Sequence, residues 1–167
     1  MYMSSGIDPS VSYEGCCGRC CSGECCYAVN YSNGSPTVDT SEFLALTPCF
    51  PTSKVVPVDL SSPDVDGKLI AQTGAFMASY GDVEVSASFD FSLGGCCGGL
   101  GFVRQKLKGS GTVFLTATGT IVQKVLADGE VILVDTNCIL AFAKSVNLSI
   151  RKSGNIIGMI GGGEVGI

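Results

Sequence analysis

Apolar and polar residues alternate strictly in the segment DVEVSASFDF, residues 82–91. Its larger apolar side chains and one alanine all fall on one side of an extended chain, namely Val83, Val85, Ala87, Phe89 and Phe91. Residues 146–152, VNLSIRK, repeat the pattern with Val146, Leu148 and Ile150 on the apolar side. Because successive side chains of a strand point to opposite faces, both segments are predicted to be half-buried β-strands.

Further short runs are rich in β-branched residues and bounded by Gly, Asp or Asn: TVFLTAT, TIVQKVL, EVILVD and CILAFA. We predict that they are strands as well, and that FVRQKLKG at residues 102–109 is a strand because glycines flank it. Three dipeptides tolerate the positive φ of tight turns, namely Asn33-Gly34, Asp66-Gly67 and Asp128-Gly129. No segment has a helical period of adequate length, so the pattern predicts an all-β sandwich or barrel with little or no helix.

The chain also repeats itself. DGKLIAQTGAFMAS begins at Asp66 and DGEVILVDTNCILAF begins at Asp128, and small-residue turns that lead into predicted strands occur near Ser22, Gly98 and Gly161. We therefore predict a tail at residues 1–18 and one β domain at 19–167, built from units at about 22–92 and about 96–152 and a truncated third unit from about 160.

Composition and net charge limit the partners and the cellular locations that are expected. The chain has 167 residues, 46% of them hydrophobic and 15% charged, and a formal net charge of −5. The closest grouping of cations is Arg104, Lys106 and Lys108, which is too short for a phosphate-neutralising face, so no nucleic-acid partner is expected. The first 15 residues contain no basic residue and no apolar core, so neither a secretory signal nor a mitochondrial presequence is indicated, and a cytoplasmic location is expected.

Several segments, in order, resemble the altered inheritance of mitochondria protein 24 family. They are SGECCYAVNYSN, LALTPCFPTSKVVPVDL, GKLIAQTGAFMAS, the long run from GGLGFVRQKLKG to VDTNCILAF, and GGGE, which together span roughly residues 19–167. The resemblance implies a fold similar to that of tryptophan RNA-binding attenuation protein, a variant of the double-stranded β-helix. It also implies a homo-oligomer, with a trimer as one candidate, and a link to mitochondria in the fungal member.

The resemblance assigns a structural role to a set of motif positions: Gly23, Glu24, Gly67, Gly74, Gly98, Gly99, Gly101, Gly109, Gly111, Gly119, Gly129, Asp135, Thr136, Gly162, Gly163 and Glu164. Family members usually continue beyond the GGEG motif with a threonine-rich strand and a closing segment. This chain stops at GGGEVGI, so the third unit is expected to be incomplete, as in a fragment or in a chain whose exposed sheet edge a partner covers.

The stretch CCGRCCSGECC puts six of the ten cysteines between Cys16 and Cys26. By the resemblance, Cys25 and Cys26 begin the first strand and are small apolar core residues, and Cys96 and Cys97 precede a second glycine turn. We also expect Cys49 and Cys138 to be packing residues. The other four, Cys16, Cys17, Cys20 and Cys21, are the weaker alternative as zinc ligands or as lipidation sites. A cytosolic chain is expected to keep all ten reduced.

Catalytic chemistry has little support in this sequence. Without histidine the chain has no Ser-His or Cys-His pair, so we expect no enzyme, no catalytic residue and no bound cofactor. The first hypothesis is a non-enzymatic structural or interaction protein that self-assembles, with a protein partner or a membrane surface as further candidates. The alternative is a small binding module that uses its N-terminal cysteines for zinc binding or redox sensing.

Overall fold

The structure is a computed structural model of the chain and describes residues 1–34, 42–90, 102–150 and 164–166. The described part is mostly strand, which confirms the all-β prediction. The strands are β1 (Tyr2–Met3), β2 (Ile7–Ser12), β3 (Ala28–Asn33), β4 (Leu44–Ala45), β5 (Ser53–Asp59), β6 (Lys68–Ala71), β7 (Phe76–Asp90), β8 (Phe102–Thr118), β9 (Leu133–Asp135), β10 (Ala141–Ala143), β11 (Ser149–Ile150) and β12 (Glu164–Gly166). The helices are α1 (Cys16–Cys21) and a 3₁₀ helix (Thr136–Cys138).

Strand β8 organises the largest sheet. It pairs antiparallel with β7 along one edge, from Phe76↔Leu115 to Asp90↔Phe102. Its other edge is shared end to end by β5, which pairs with residues 112–118, and by β6, which pairs with residues 105–108. Strand β10 then pairs with the free edge of β6. One 17-residue strand therefore hydrogen-bonds to three others.

The core follows the alternation along β8. The side chains of Gln105, Leu107, Val113 and Leu115 are all fully buried. These odd-numbered positions form one face of the strand, and Leu60, Leu69, Ala71 and Val85 complete the buried cluster. Each fully buried leucine stabilises the fold by about 2 kcal/mol, so the odd face fixes the register.

The prediction for residues 82–91 is confirmed over the part that the structure describes. Val85 is buried and Val83 is half-buried against the same core. In contrast, Glu84 is exposed on the opposite face. Residues 102–109 and 112–118 are also strand, both within β8. The described residues of the segments 146–152, 130–135 and 138–143 contribute only the short strands β11, β9 and β10.

Two glycines of β8 lie where the hairpin backbones come closest. A Cβ on Gly109, whose φ is +142°, would stand 2.0 Å from the carbonyl oxygen of Asp82. A Cβ on Gly111 would stand 2.4 Å from the carbonyl oxygen of Tyr80. Neither approach leaves room for a side chain, so only glycine fits at these two positions.

The N-terminal residues differ from the predicted tail. Strand β2 pairs with β3 from Ile7↔Asn33 to Ser12↔Ala28, and β1 pairs with β4. Residues 1–18 therefore carry two strands and the start of α1. The period-two signal was absent there because β2 is exposed at four of its six residues, so neither face of this hairpin is selected for apolar side chains.

Two of the predicted turns are present. Asp66 and Gly67 have φ of 53° and 68°, and the N–H of Lys68 donates to the carbonyl of Val65 at 3.3 Å. The flanking strands β5 and β6 both pair with β8 instead of with each other. Gly129 has φ of 75° in the second turn, and Asn33-Gly34 adjoins residues outside the described part. The internal repeat and the double-stranded β-helix remain predictions.

Candidate functional site

The cysteine segment, defined here as residues 16–26, begins as a helix. Helix α1 spans Cys16–Cys21, between Gly15 with φ of +68° and Gly23 with φ of +84°. A glycine in the left-handed conformation at each end limits α1 to about one and a half turns. A helix this short can form without a helical period of apolar residues. The sequence contains no further helical signal here, which is why α1 was not predicted.

A disulfide closes the segment. Cys20 and Cys26 are bonded, and their Cα atoms lie 5.1 Å apart, within the range that a disulfide spans. The turn at Gly23 reverses the chain and brings the two residues together. The expectation that all ten cysteines are reduced is therefore wrong for this pair in the structure.

The other described cysteines are not core residues. Cys17, Cys21, Cys25, Cys49 and Cys138 are exposed, and Cys16 is half-buried. The packing roles predicted for Cys25, Cys26, Cys49 and Cys138 are therefore wrong. Cys25 and Cys26 precede β3 instead of lying in it, and Cys138 ends the 3₁₀ helix. Cys96 and Cys97 lie outside the described residues.

The metal alternative gains no support from the described part of the chain. No cluster of three or more His, Cys, Asp or Glu side chains within that part could hold a metal ion. Cys20 is bonded to Cys26 and is therefore not a thiolate ligand, and Cys17 and Cys21 are exposed. Tetrahedral zinc needs four converging ligands, which these residues do not supply.

A buried glutamine fastens the segment to the central sheet. The Gln105 side chain is fully buried on β8, and its Nε2 donates to Oε1 of Glu24. Its Oε1 accepts from the backbone N–H of Phe76 at 3.0 Å. Both ends of the amide are therefore satisfied, and one of them depends on the cysteine segment. Sequence reasoning missed Gln105, although a polar residue on the apolar side of an alternating strand is a usable signal.

Close packing adds three further contacts. A Cβ on Gly23 would stand 2.5 Å from Cγ2 of Thr73, whose hydroxyl donates to the Val103 carbonyl at 2.7 Å. A Cβ on Gly18 would stand 3.4 Å from Ser86 on β7. The Arg19 guanidinium lies 5.9 Å from the centroid of the Phe76 ring. The segment is thus held against β7, β8 and Thr73 by contacts at Gly18, Arg19, Gly23 and Glu24.

A second unusual region is the arm, defined here as residues 120–132. We predicted a strand at 120–126, but no strand occurs in the arm. Val122, Val125 and Val131 are 84%, 79% and 72% exposed. The apolar residues come in adjacent pairs, Ile121-Val122 and Val125-Leu126, so neither face of an extended chain could be buried alone.

A turn holds the tip of the arm. The N–H of Glu130 donates to the carbonyl of Ala127 at 3.0 Å, the single backbone–backbone hydrogen bond of the arm within the described residues. The Glu130 carboxylate accepts from the Lys124 ammonium and from the N–H of Ala127. These hydrogen bonds, that from Lys124 first, lower the pKa of Glu130. The remaining backbone groups of the arm have no described partner.

The other motif positions fall into two groups. Gly67, Gly74, Gly119 and Gly129 adopt positive φ in turns, and Asp135 accepts from the N–H of Asn137 at 2.8 Å to cap the 3₁₀ helix that begins at Thr136. Glu164 begins β12, which pairs with β9 and β11. Gly98, Gly99, Gly101, Gly162 and Gly163 lie outside the described residues.

Comparison with known proteins agrees with this architecture. The chain is similar in structure to protein SPYM3_0169 from Streptococcus pyogenes, with a TM-score of 0.66 and 19% sequence identity over 99% of this chain and 74% of that one. At that identity the likeness shows the fold alone. No curated protein matches the chain by sequence. Within the described residues, no helix has the length and apolar character needed to cross a membrane.

The family assignment rests on the sequence as a whole. The family model described as Mitochondrial biogenesis AIM24 matches residues 1–165. The match includes residues 1–18, for which a tail was predicted, and agrees with the strand pairing of β1 and β2. The chain therefore belongs to the AIM24 mitochondrial biogenesis family.

Proposed function

We propose that this chain is a non-enzymatic assembly protein that works as a homo-oligomer. The observation that carries the proposal is the arm, a β-branched segment with highly exposed valines and few described backbone partners. Unpaired backbone groups beside apolar side chains are the usual template for strand addition by a second chain. Exposed apolar residues of this kind also mark interaction surfaces.

A second copy of this chain is the proposed occupant of the arm. Only 15% of the residues are charged and 46% are hydrophobic, a composition that supports apolar contact between copies. The central sheet supports the proposal, since the pairings of the described strands leave the edges of β5, β7 and β10 without a further strand. An arm that adds to such an edge of its neighbour would close a ring or a symmetric pair.

The test is the mass of the assembly. We expect native mass spectrometry and light scattering of the full chain to give a multiple of 17.1 kDa. The double variant Val122→Lys/Val125→Lys should shift the mass to the monomer, because buried lysines would oppose pairing. Val11→Lys is the matched control, since Val11 is also an exposed strand-type valine at 56%.

Three outcomes would contradict the proposal or one part of it. A wild-type monomer at micromolar concentration would refute the proposal. An oligomer that survives the double variant intact would remove the arm from the interface. A substrate turned over by the purified chain would refute the non-enzymatic part.

The disulfide favours a second candidate, redox sensing by the cysteine segment. Cys20 and Cys26 would each lose one electron and one proton to form the bond, and a low-molecular-weight disulfide would be reduced to two thiols. The segment reports to the core through the Glu24–Gln105 hydrogen bond, so its opening would alter the surroundings of Phe76.

Reduction provides the test of that candidate. Reduction with dithiothreitol should speed amide hydrogen exchange near Phe76 in the wild type. It should have no effect in Cys20→Ser/Cys26→Ser, and Cys49→Ser should behave like wild type because Cys49 is a free exposed cysteine. Identical amide hydrogen exchange in the oxidised and reduced wild type would refute redox sensing by the cysteine segment.

A further inference from the structure

The even-numbered face of β8, opposite the core, gathers positive charge. Arg104, Lys106 and Lys108 alternate with the buried Gln105 and Leu107, so all three lie on the outer face. The register places Lys68 of β6 directly beside Lys108. Lys144 follows the last residue of β10, the strand that pairs with β6. Five of the ten lysines and arginines of an acidic chain therefore share one face.

The lysines are close enough to act on one another. Partial burial, followed by the charges of Lys106, Lys144 and Lys108, lowers the pKa of Lys68. Like charges that crowd in this way destabilise the charged forms until an anion joins them. Three carboxylic residues of β7 occupy the same register face: Asp82, Glu84, which lies opposite Lys108, and Asp90, which lies opposite Phe102. Asp82 and Glu84 form no ion pair with these cations in the described structure.

A cleft of about 280 Å³ opens at one end of this face. Arg104 lines it and is only 7% exposed, with its guanidinium 5.6 Å from the centroid of the Phe142 ring. The other lining residues combine apolar walls with two polar side chains: Ile70, Val146, Leu148, Ser88 and Asn147. Ile70 and Phe142 are register partners on the same side of the sheet as Lys106.

We infer that this basic face and its cleft form a binding site for a phosphate-bearing amphiphile. The phosphate would contact the lysines of the face, whose ammonium groups act as point charges, on the side where Arg104 lines the cleft. The apolar part of the ligand would lie against Ile70 and Phe142. The cleft is slightly smaller than most small-ligand sites, and apolar and polar side chains share its lining. The inference goes beyond the proposed assembly and does not depend on it.

Two sources could present this chemistry, a phospholipid headgroup in a membrane and a soluble organic phosphate. The experiment therefore titrates the full chain with three probes at low ionic strength: inorganic phosphate, soluble dihexanoyl phosphatidic acid, and vesicles with and without an anionic phospholipid. Calorimetry follows the soluble probes, and cosedimentation follows the vesicles. An RNA oligonucleotide serves as a phosphate polyanion without an acyl chain.

The variants test the face and not the fold. Lys68→Gln/Lys106→Gln removes two of its cations, whereas Lys54→Gln/Lys124→Gln removes two exposed cations elsewhere. We expect the first to weaken binding of dihexanoyl phosphatidic acid by about tenfold or more, and the second by about twofold or less. Glu84→Gln should strengthen binding, because it removes a carboxylate beside Lys108. Added salt should weaken the wild type more than the first variant.

Each outcome decides something. Binding to anionic vesicles as well as to dihexanoyl phosphatidic acid supports the inference and names a membrane as the source. Binding to the soluble amphiphile alone supports it and names a soluble phosphate. Equal binding of inorganic phosphate and the amphiphile would refute the role of the apolar walls. The inference is overturned if no phosphate probe binds, if RNA binds more tightly than any of them, or if both double variants bind equally.

Discussion

Strand β8 and the arm follow one another in the chain, and both are rich in β-branched residues, yet β8 is paired within a sheet and the arm is largely exposed. The odd face of β8 is buried, and hydrogen bonds join the strand to β5, β6 and β7. The arm has one backbone–backbone hydrogen bond within the described residues and valines that are up to 84% exposed. The difference is alternation, since β8 gathers its buried apolar side chains on one face and the arm cannot. Strand propensity favours an extended chain, but period-two burial is what selects the sheet.

The largest expected effect comes from a core leucine of β8. Leu107→Ala should lower the free energy of unfolding by about 4 kcal/mol, because it removes a fully buried side chain and leaves a cavity. Val125→Ala in the arm should change it by about 0.5 kcal/mol or less, because the side chain is 79% exposed. Urea unfolding followed by circular dichroism, at one low protein concentration, measures both. Equal losses would mean that the arm belongs to the core.

Glycine substitutions test the same difference between β8 and the arm at the level of the backbone. Gly109→Ala should cost about 3 kcal/mol, since φ is +142° and the new Cβ would meet the Asp82 carbonyl. Gly119→Ala, immediately before the arm, should cost about 1 kcal/mol, because its φ of +82° is unfavourable but nothing lies within 4 Å. Thermal unfolding of the two variants provides the measurement. The reverse order would contradict the close approach of β7 and β8.

A third variant pair examines the polar member of the buried face. Glu24→Ala should cost about 2 kcal/mol, because Nε2 of the buried Gln105 loses its acceptor. Glu24→Gln keeps an acceptor oxygen at the same reach and should cost clearly less. Chemical unfolding under oxidising conditions keeps the disulfide intact in both. If the two variants lose equal stability, the hydrogen bond is not what fastens the cysteine segment.

The smallest effect is expected at the tip of the arm. Glu130→Gln should leave stability unchanged within error, since the Lys124 pair is solvent-exposed. Because the pKa of Glu130 is lowered in the fold, its small contribution is present above the ordinary carboxyl pKa and is lost as pH falls through the folded value. If the acid titrations of wild type and variant diverge strongly, the hydrogen bonds of Glu130 stabilise the fold by more than an exposed pair does.

The central sheet could be predicted from sequence because alternation reports burial directly. Residues 82–90 were assigned correctly on that basis. Residues 102–109 and 112–118 were assigned from flanking glycines and β-branched content, and the two segments proved to be one strand. The turns at Asp66-Gly67 and Asp128-Gly129 were assigned from residues that tolerate positive φ. The pairing of β2 with β3 could not be predicted, because both strands are largely exposed and their apolar residues show no period.

The cysteine segment and the basic face were less predictable for a different reason. Cysteine is a small apolar residue in most cores, so nothing local distinguishes Cys25 or Cys49 as exposed. The short helix α1 depends on two glycines and on docking against distant strands. Likewise, Lys68 and Lys144 join Lys108 only because β6 lies between β8 and β10, an order that the sequence does not state.

Because β8 pairs with three other strands, it affects the order in which the sheet can form during folding. Strands β5 and β6 are synthesised before β8, but both hydrogen-bond to it, with Ser53 opposite Thr118. The hairpin of β7 and β8 is more local, so its loop closes at a lower entropic cost and is expected to form first. Strand β6 cannot complete its pairing until residue 108 has left the ribosome, and β5 cannot do so until residue 118 has. We therefore expect this sheet to grow outward from its middle, and not from its N-terminus.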